Sequence, residues 1–343
     1  MISARAVYHV APETAALRER TLAPLKAGQV LIESLYSAIS SGTESMIFRG
    51  RMPAAIAQDE VIASLRGGFR YPFTYGYALT GKVIEIGAGV ARDWLGRCVL
   101  AFHPHQDYAV VPVQDCLVVP SDIAPQAAVF LPNVESALNF IMDGRPVIGE
   151  KVMVSGQGVL GLLTTAILSG FPLGRLITAD PLPGRRARSL ALGAMESLEV
   201  GDPSALETLQ QRLFRNEAGD GLDLAFELSG NMDALNQTIE LTGFAGRIII
   251  GSWYGNDIRP LNLGGHFHRR RIQLISSQVS TISPQLSGRW DKSRRMELVW
   301  EWIRRLTPEH LITHVLKPTE CQQAFELVSG KSDGVLQAIF EYP

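Results

Sequence analysis

The sequence predicts an α/β protein in which a doubly wound parallel sheet is inserted in a β-rich domain. The run KVMVS (Lys151–Ser155) is almost unbroken apolar and ends on glycines, as a strand covered on both faces does. From there strands and helices alternate through RLITAD, ESLEV, LDLAFELS, RIIIGS and RIQLISSQV, the rhythm of a doubly wound sheet. Residues 1 to 120 instead alternate short β-rich runs with Gly, Pro and Asp turn signals and contain no long amphipathic helix.

In order, ARAVYHV, QVLIESLYSAIS, LTGKVIEIGAGV, GRCVLAF and DYAVVPV read as strands of an irregular, largely antiparallel domain. From Pro120, IAPQAAVFLPNVESALNFIMDG spaces its apolar residues for helices that lead into the glycine strand. After Val279, SPQLSGRWDKSRR is a polar loop, followed by a helix around Met296–Arg305 packed by Trp300 and Trp302. ITHVL, a helix around Cys321–Val328 and a last strand share the texture of the first domain, so the chain is expected to return to it. With 343 residues, more than one core usually holds, the expected domains are 1–121 with 280–343, and 122–279.

Gly156, Gly158 and Gly161 have the spacing G-x-G-x-x-G. The first suits a tight turn, the second lets backbone approach a pyrophosphate, and the third lets the next helix pack against the strand. That helix, Val159–Ser169, opens with Val159 and Leu160 and has no acid in its first turn, leaving its amides and positive dipole end for an anion. RLITAD then ends on Asp180, about twenty residues past the last glycine, where a carboxylate accepts ribose hydroxyls and repels a 2′-phosphate. This favours NAD, with Arg185 and Arg186 keeping NADP open; the alternative is an ordinary glycine turn followed by a surface aspartate.

Hydrophobic content of 46%, charged content of 19% and a net charge of −2 describe a folded protein with no electrostatic reason to bind nucleic acid or an anionic membrane. The one basic cluster, HFHRRR (His266–Arg271), is short and reads as a loop before a strand. Cys98, Cys116 and Cys321 are too scattered for a disulfide framework or a four-cysteine zinc site. MISARAVYHV lacks the apolar stretch of a signal peptide, and no run approaches the roughly 20 apolar residues that span a bilayer. A soluble, cytoplasmic protein acting on a small molecule is expected.

The β-rich front, the nucleotide-binding insert and the return together resemble the medium-chain dehydrogenase/reductase superfamily, the relatives of alcohol dehydrogenase. The likeness rests on YSAISSGTE, YPFTYGYALTGKVIEIGAGV, the glycine strand, FELSGNMDALNQTIEL, GRIIIGS, ITHVL and GVLQAIF. It implies a Rossmann domain inserted in a GroES-like catalytic domain. SGTESMIFRGRMP and the following Gly-Tyr pair look most like 2-desacetyl-2-hydroxyethyl bacteriochlorophyllide a dehydrogenase, which implies a bulky apolar substrate. AAIAQDEVIASLRGGFR, between Pro53 and Tyr71, is an insertion-like stretch that would reshape a pocket mouth.

The departures from that family concern metal. Its zinc members place cysteine where this chain has Ser41, and a Gly-His-Glu triplet where it has Gly76-Tyr77-Ala78; the third ligand position falls near Pro132, with Glu135 close by. Serine hydroxyls and tyrosines do not normally replace thiolate, imidazole or carboxylate on zinc, and the cysteine-rich structural lobe has no counterpart, so no catalytic or structural zinc is expected. His103 and His105, with Asp107, read as surface or pocket histidines rather than a metal site.

Hydride transfer without zinc still needs a group that stabilises the developing alkoxide. The resemblance makes Thr43 the proton-relay residue, and Ser41, Thr43 and Tyr77 are the expected lining of the hydride site; the alternative leaves them as turn and packing residues. Glu44 falls where the family has a structural acid paired with arginine, and Glu135 reads as a helix-start or solvated residue. The resemblance further implies backbone contacts to cofactor from Ser229, Gly230, Gly251 and Ser252, and a homodimer formed through RIQLISSQV. The functional expectation is an NAD(P)-dependent, zinc-independent oxidoreductase on an alcohol/carbonyl pair. A zinc-free quinone or enone reductase and a non-catalytic NAD(H)-binding protein are the alternatives.

Overall fold

The computed structural model describes residues 2–52, 57–59, 61–214, 220–256, 258–330 and 332–343, so parts of the insertion-like stretch at 54–56 and 60, and Pro53 before it, lie outside the described residues. The chain divides into two compact units, Met1–Pro132 with Trp300–Pro343, and Asn133–Val299. The divisions fall inside helices, later than residues 121/122 and 279/280.

The first part of the chain contributes β1 (Ile2–Ala11), β2 (Thr14–Leu22), β3 (Gln29–Ala38), α1 (Thr43–Phe48), β4 (Phe73–Thr74), β5 (Leu79–Ile86), β6 (Cys98–Ala101), β7 (Tyr108–Pro112), β8 (Cys116–Val118) and α2 (Pro125–Ala128). Then come α3 (Leu131–Gly144), β9 (Lys151–Ser155), α4 (Val159–Leu168), β10 (Arg175–Asp180), α5 (Pro183–Ala191), β11 (Glu196–Glu199), α6 (Pro203–Leu213), β12 (Leu222–Glu227), α7 (Met232–Leu241), β13 (Thr242–Ile250) and β14 (Gln273–Ser276). The chain finishes with α8 (Lys292–Leu306), β15 (Ile312–Leu316), α9 (Cys321–Ser329) and β16 (Gln337–Glu341).

In the first unit β3 is the central strand. It pairs antiparallel with β5, β7 and β16, and β15 joins the far side of β16. Its inward residues Val30 and Ile32 meet Leu79, Val83, Val99 and Val111 in one core. β2 is a strand that the sequence does not announce. Its central run Leu17–Arg20 carries Arg18, Glu19 and Arg20, so apolar alternation is faint, yet it pairs with β1 from Ile2↔Leu22 to Ala11↔Thr14 as a sheet edge facing water.

In the second unit six parallel strands run β11-β10-β9-β12-β13-β14, the order of two mononucleotide-binding halves meeting at β9 and β12. Val152, Val154, Leu224 and Phe226 are buried in its middle, as the near-continuous apolar runs predict. α4 is apolar almost all round, with Leu162, Leu163, Ile167 and Leu168 inside.

α8 begins a turn earlier than its apolar spacing suggests. Arg295, Met296, Val299 and Ile303 form its buried face, whereas Trp300 and Trp302 are only partly buried and Trp302 lies under the Arg305 guanidinium at 5.2 Å. The tryptophans therefore do not supply the main packing of this helix. No helix among the described residues is long and apolar enough to cross a membrane.

Of the buried polar residues in the first unit that lack a hydrogen-bond partner among the described residues, His9 is the one that titrates. His9 is fully buried between Phe325, 4.7 Å away, and Phe73, 5.4 Å away, and neither ring nitrogen has a hydrogen-bond partner among the described residues. Burial pushes its pKa down to about 4, with Glu44 opposing and His105 reinforcing the shift. The unfolded chain therefore binds this proton first. The neutral ring's stability is fully present above the unfolded value of 6.5 and is lost as pH falls towards about 4. Between pH 7 and pH 5 the wild type should lose about 2 kcal/mol more than His9→Leu, measured by urea denaturation at both pH values. Parallel losses in the two proteins would show that His9 does not titrate this way.

Candidate functional site

The second unit builds a nucleotide cradle at the carboxyl end of β9. Gly156 has φ +89, which favours glycine, and a Cβ there would lie 2.6 Å from the Ser229 backbone. A Cβ on Gly161 would lie 1.8 Å from the Gly156 carbonyl, so the start of α4 is pressed onto the loop as the third glycine requires. Gly158 is open, with only Arg185 Nη1 at 4.0 Å from a built Cβ, and Val159 and Leu160 begin α4 with no acid in its first turn. These features fit the pyrophosphate of NAD(P), whose phosphates the loop amides and the α4 N-terminus would hold.

Gln157 is a residue that the motif hides. Fully buried, it donates from Nε2 to the carbonyls of Val154 (3.1 Å) and Gly156 (3.2 Å), and its Oε1 accepts from Thr165 (3.1 Å), so a side chain inside the loop fixes the loop. Its only sequence signal is an amide between two glycines.

Asp180 stands at the tip of β10 as expected, but it is 3% exposed rather than a free surface acid. One carboxylate oxygen accepts from the Gln157 backbone (2.7 Å) and the other from the Leu182 backbone (2.9 Å), while Arg185 Nη1 approaches to 4.0 Å. Each oxygen keeps a second lone pair for a ribose hydroxyl. Arg186 turns to Glu199 (2.7 Å) and to the carbonyls of Asp180 and Pro181.

At the ends of β12 and β13, Glu227 gathers the other predicted cofactor residues. Ser229 donates to it from backbone N–H (2.9 Å) and hydroxyl, Gly251 N–H donates to its carbonyl (3.1 Å), and Ser252 donates to that carbonyl while accepting from Gly230 N–H (2.9 Å). Tyr254 closes the group by donating to the carboxylate, and burial followed by that negative charge raises its pKa. Glu227 ends the apolar run LDLAFE, which is the trace it leaves in the sequence.

The first unit brings Thr43 and Tyr77 together. The Tyr77 phenol lies close enough to the side chains of Ser40 and Thr43 for both to lower its pKa, and no such effect comes from Ser41. Burial pushes the phenol up to about 12; Ser40 opposes this, Glu44 adds to it and Thr43 opposes it. Burial first, and Glu44 in addition, keep Tyr77 a hydrogen-bond donor at neutral pH rather than a base.

Behind these two residues lies a buried polar chain. Ser40 N–H donates to Glu44 Oε1 (2.8 Å), Glu44 Oε2 meets His105 Nε2 (2.9 Å), His105 Nδ1 meets Ser37 Oγ (2.7 Å), and Ser37 meets the Tyr342 hydroxyl (2.9 Å). The partner of Glu44 is thus a histidine and not an arginine. His105 is fully buried, not a surface or pocket histidine, because its ring fills the space beside Gly76, where a Cβ would lie 2.9 Å from its Cδ2 and where φ is +129. His103 is only partly buried, and desolvation lowers its pKa to about 4.

The donor set does not fit zinc. The positions that the resemblance marks as ligands carry a hydroxyl (Ser41), a phenol pushed up to about 12 (Tyr77) and Pro132, and the carboxylates that follow them in sequence, Glu44 and Glu135, are committed elsewhere. Glu44 serves His105, and Glu135, far from being solvated, is buried against Arg295 (2.6 Å) and Lys292 (3.3 Å).

No protein-family model matches the chain. Starvation-sensing protein RspB of Escherichia coli K12 is 23% identical over 88% of this chain and 89% of its own. L-threonine 3-dehydrogenase of Pyrococcus horikoshii is 26% identical over 90% of each. Among solved structures, the rspB alcohol dehydrogenase of E. coli CFT073 complexed with NADH superposes with TM-score 0.79 at 18% identity over 99% of each chain. A zinc-binding dehydrogenase of Sinorhizobium meliloti bound to NADP does so with TM-score 0.76 at 17% over all of each. The fold is theirs.

Glu44→Ala removes the buried acceptor of both His105 and Ser40, and should cost about 3 kcal/mol or more in urea unfolding, with Glu44→Gln costing distinctly less. Equal costs would mean that the acceptor is not what matters.

Proposed function

We propose that the chain is an oxidoreductase of the medium-chain, alcohol dehydrogenase-like type, as its relatives are named, and that it moves hydride between a nicotinamide cofactor and an alcohol/carbonyl pair without zinc. Tyr77, buried beside Ser40, Thr43 and Glu44 and protonated at neutral pH, carries this reading. NAD(P), when bound, supplies the hydride chemistry. Tyr77 donates a hydrogen bond to the substrate oxygen as it gains negative charge, Thr43 and Ser40 hold the phenol in place, and Ser41 lines the same turn. A phenol with a pKa of about 12 serves this donor role best in the reducing direction.

NAD is the proposed cofactor, since the Asp180 carboxylate lies where a 2′-phosphate would come; Arg185 beside it is the residue through which NADP would be admitted. Relatives named for L-threonine, D-xylulose and (R,R)-butanediol support a small hydroxylated substrate. The likeness of SGTESMIFRGRMP supports a bulky apolar one instead. Neither a quinone or enone reductase nor a non-catalytic NAD(H)-binding protein has a specific observation in its favour. A homodimer through β14, the terminal strand of its sheet, and a cytoplasmic setting for the three free cysteines complete the proposal.

Metal-stripped protein should bind NADH at least about tenfold more tightly than NADPH, by nicotinamide fluorescence. With polyol and bulky ketone panels, Tyr77→Phe should lower kcat/KM by about a hundredfold while leaving the NADH Kd unchanged. Activity that appears only with stoichiometric zinc would sink the metal-free reading.

A further inference from the structure

Arg295 is the largest fully buried side chain, and a guanidinium taken from water is costly unless every donor is used. Its partners lie on two elements of the second unit. On α3, Glu135, Asn139 and Asp143 are spaced i, i+4, i+8 and share one face. Arg295 donates to Glu135 Oε1 from Nη2 (2.6 Å) and Nε (3.1 Å), and to Asn139 Oδ1 from Nη1 (2.5 Å). Its remaining donors go to main chain just beyond β14, the carbonyls of Thr281 (3.3 Å) and Val279. The same segment is tied at Ser277, which donates to Asp143 (2.6 Å) and accepts from Asn139 (2.9 Å).

Place in the sheet gives this clamp a function. The glycine loop follows β9 and the ribose carboxylate ends β10, so the adenosine half of a dinucleotide belongs to the β9–β11 side. The other mononucleotide half then falls at the carboxyl ends of β12, β13 and β14, where segment 277–281 runs. We propose that Arg295, fixed by Glu135, is a positioning residue that sets the backbone of 277–281 for the nicotinamide half of the cofactor. This rests on the cofactor reading above. Arginine's planar fork reaches a carboxylate and two carbonyls at once, which lysine cannot.

The test compares NADH with ADP-ribose, which lacks the nicotinamide, by titration calorimetry and nicotinamide emission on wild type, Arg295→Lys and Glu135→Gln. Arg295→Lys should weaken NADH about tenfold or more and shift its bound emission, while the ADP-ribose Kd stays within about twofold. Glu135→Gln should show the same split in smaller measure. A residue that only stabilises the fold would weaken both ligands together, and such a parallel loss, or no loss, overturns the positioning role. Should Arg295→Lys fail to fold, Ser277→Ala leaves the guanidinium in place and must still weaken NADH selectively; absence of that selectivity also overturns it. Wild-type protein that binds neither ligand would overturn the cofactor reading itself, a result distinct from one in which wild type binds both and the variants show no split.

Discussion

A carboxylate removed from water must be given donors, and that requirement fastens the working parts of both units. In the first, Glu44 is taken up by His105 and by the backbone of Ser40. The turn that presents Thr43 and the glycine that precedes Tyr77 are thereby held against one imidazole. In the second, Glu135 is taken up by Arg295, whose other donors reach the backbone past β14. The pairs add little net stability when judged against apolar replacements, so their value lies in the geometry they impose.

The glycine loop obeys a related economy. Its turn needs a positive φ at Gly156 and contact without side chains at Gly161, yet its shape is completed by two side chains, Gln157 from within and Asp180 from the next strand. Asp180 therefore has a structural task beside the proposed one. Its oxygens hold the loop and the start of the next turn, so the proposed recognition of ribose and the form of the phosphate cradle would be one arrangement.

Periodicity made the parallel sheet legible, since buried strands such as KVMVS and LDLAFE are continuous apolar runs between glycines and helices. β2 was not legible because charge alternates along an edge strand. Of the candidate site, the glycines, Asp180, Thr43 and Tyr77 are proposed from spacing and resemblance. His105 and Arg295 cannot, because their partners lie 61 and 160 residues away and burial is decided by tertiary packing. HPHQD and SRRMEL look like loop and surface, since a charged residue announces its cost but not its partner.

The place of β16 in the first sheet has a consequence for the order of assembly. β16 lies between β15 and β3, with Ile339 opposite Ala38, and Ser37 meets Tyr342 across 305 residues of chain. The nucleotide-binding unit closes entirely from residues between Asn133 and Val299. During vectorial synthesis that inner unit has its whole core available while, in the outer sheet, β7 already covers Gln29–Glu33 of β3 and Tyr36–Ala38 still wait for β16. The outer unit is thus the late-maturing one, and the short unpaired end of β3 is where a nascent chain is open to wrong pairing.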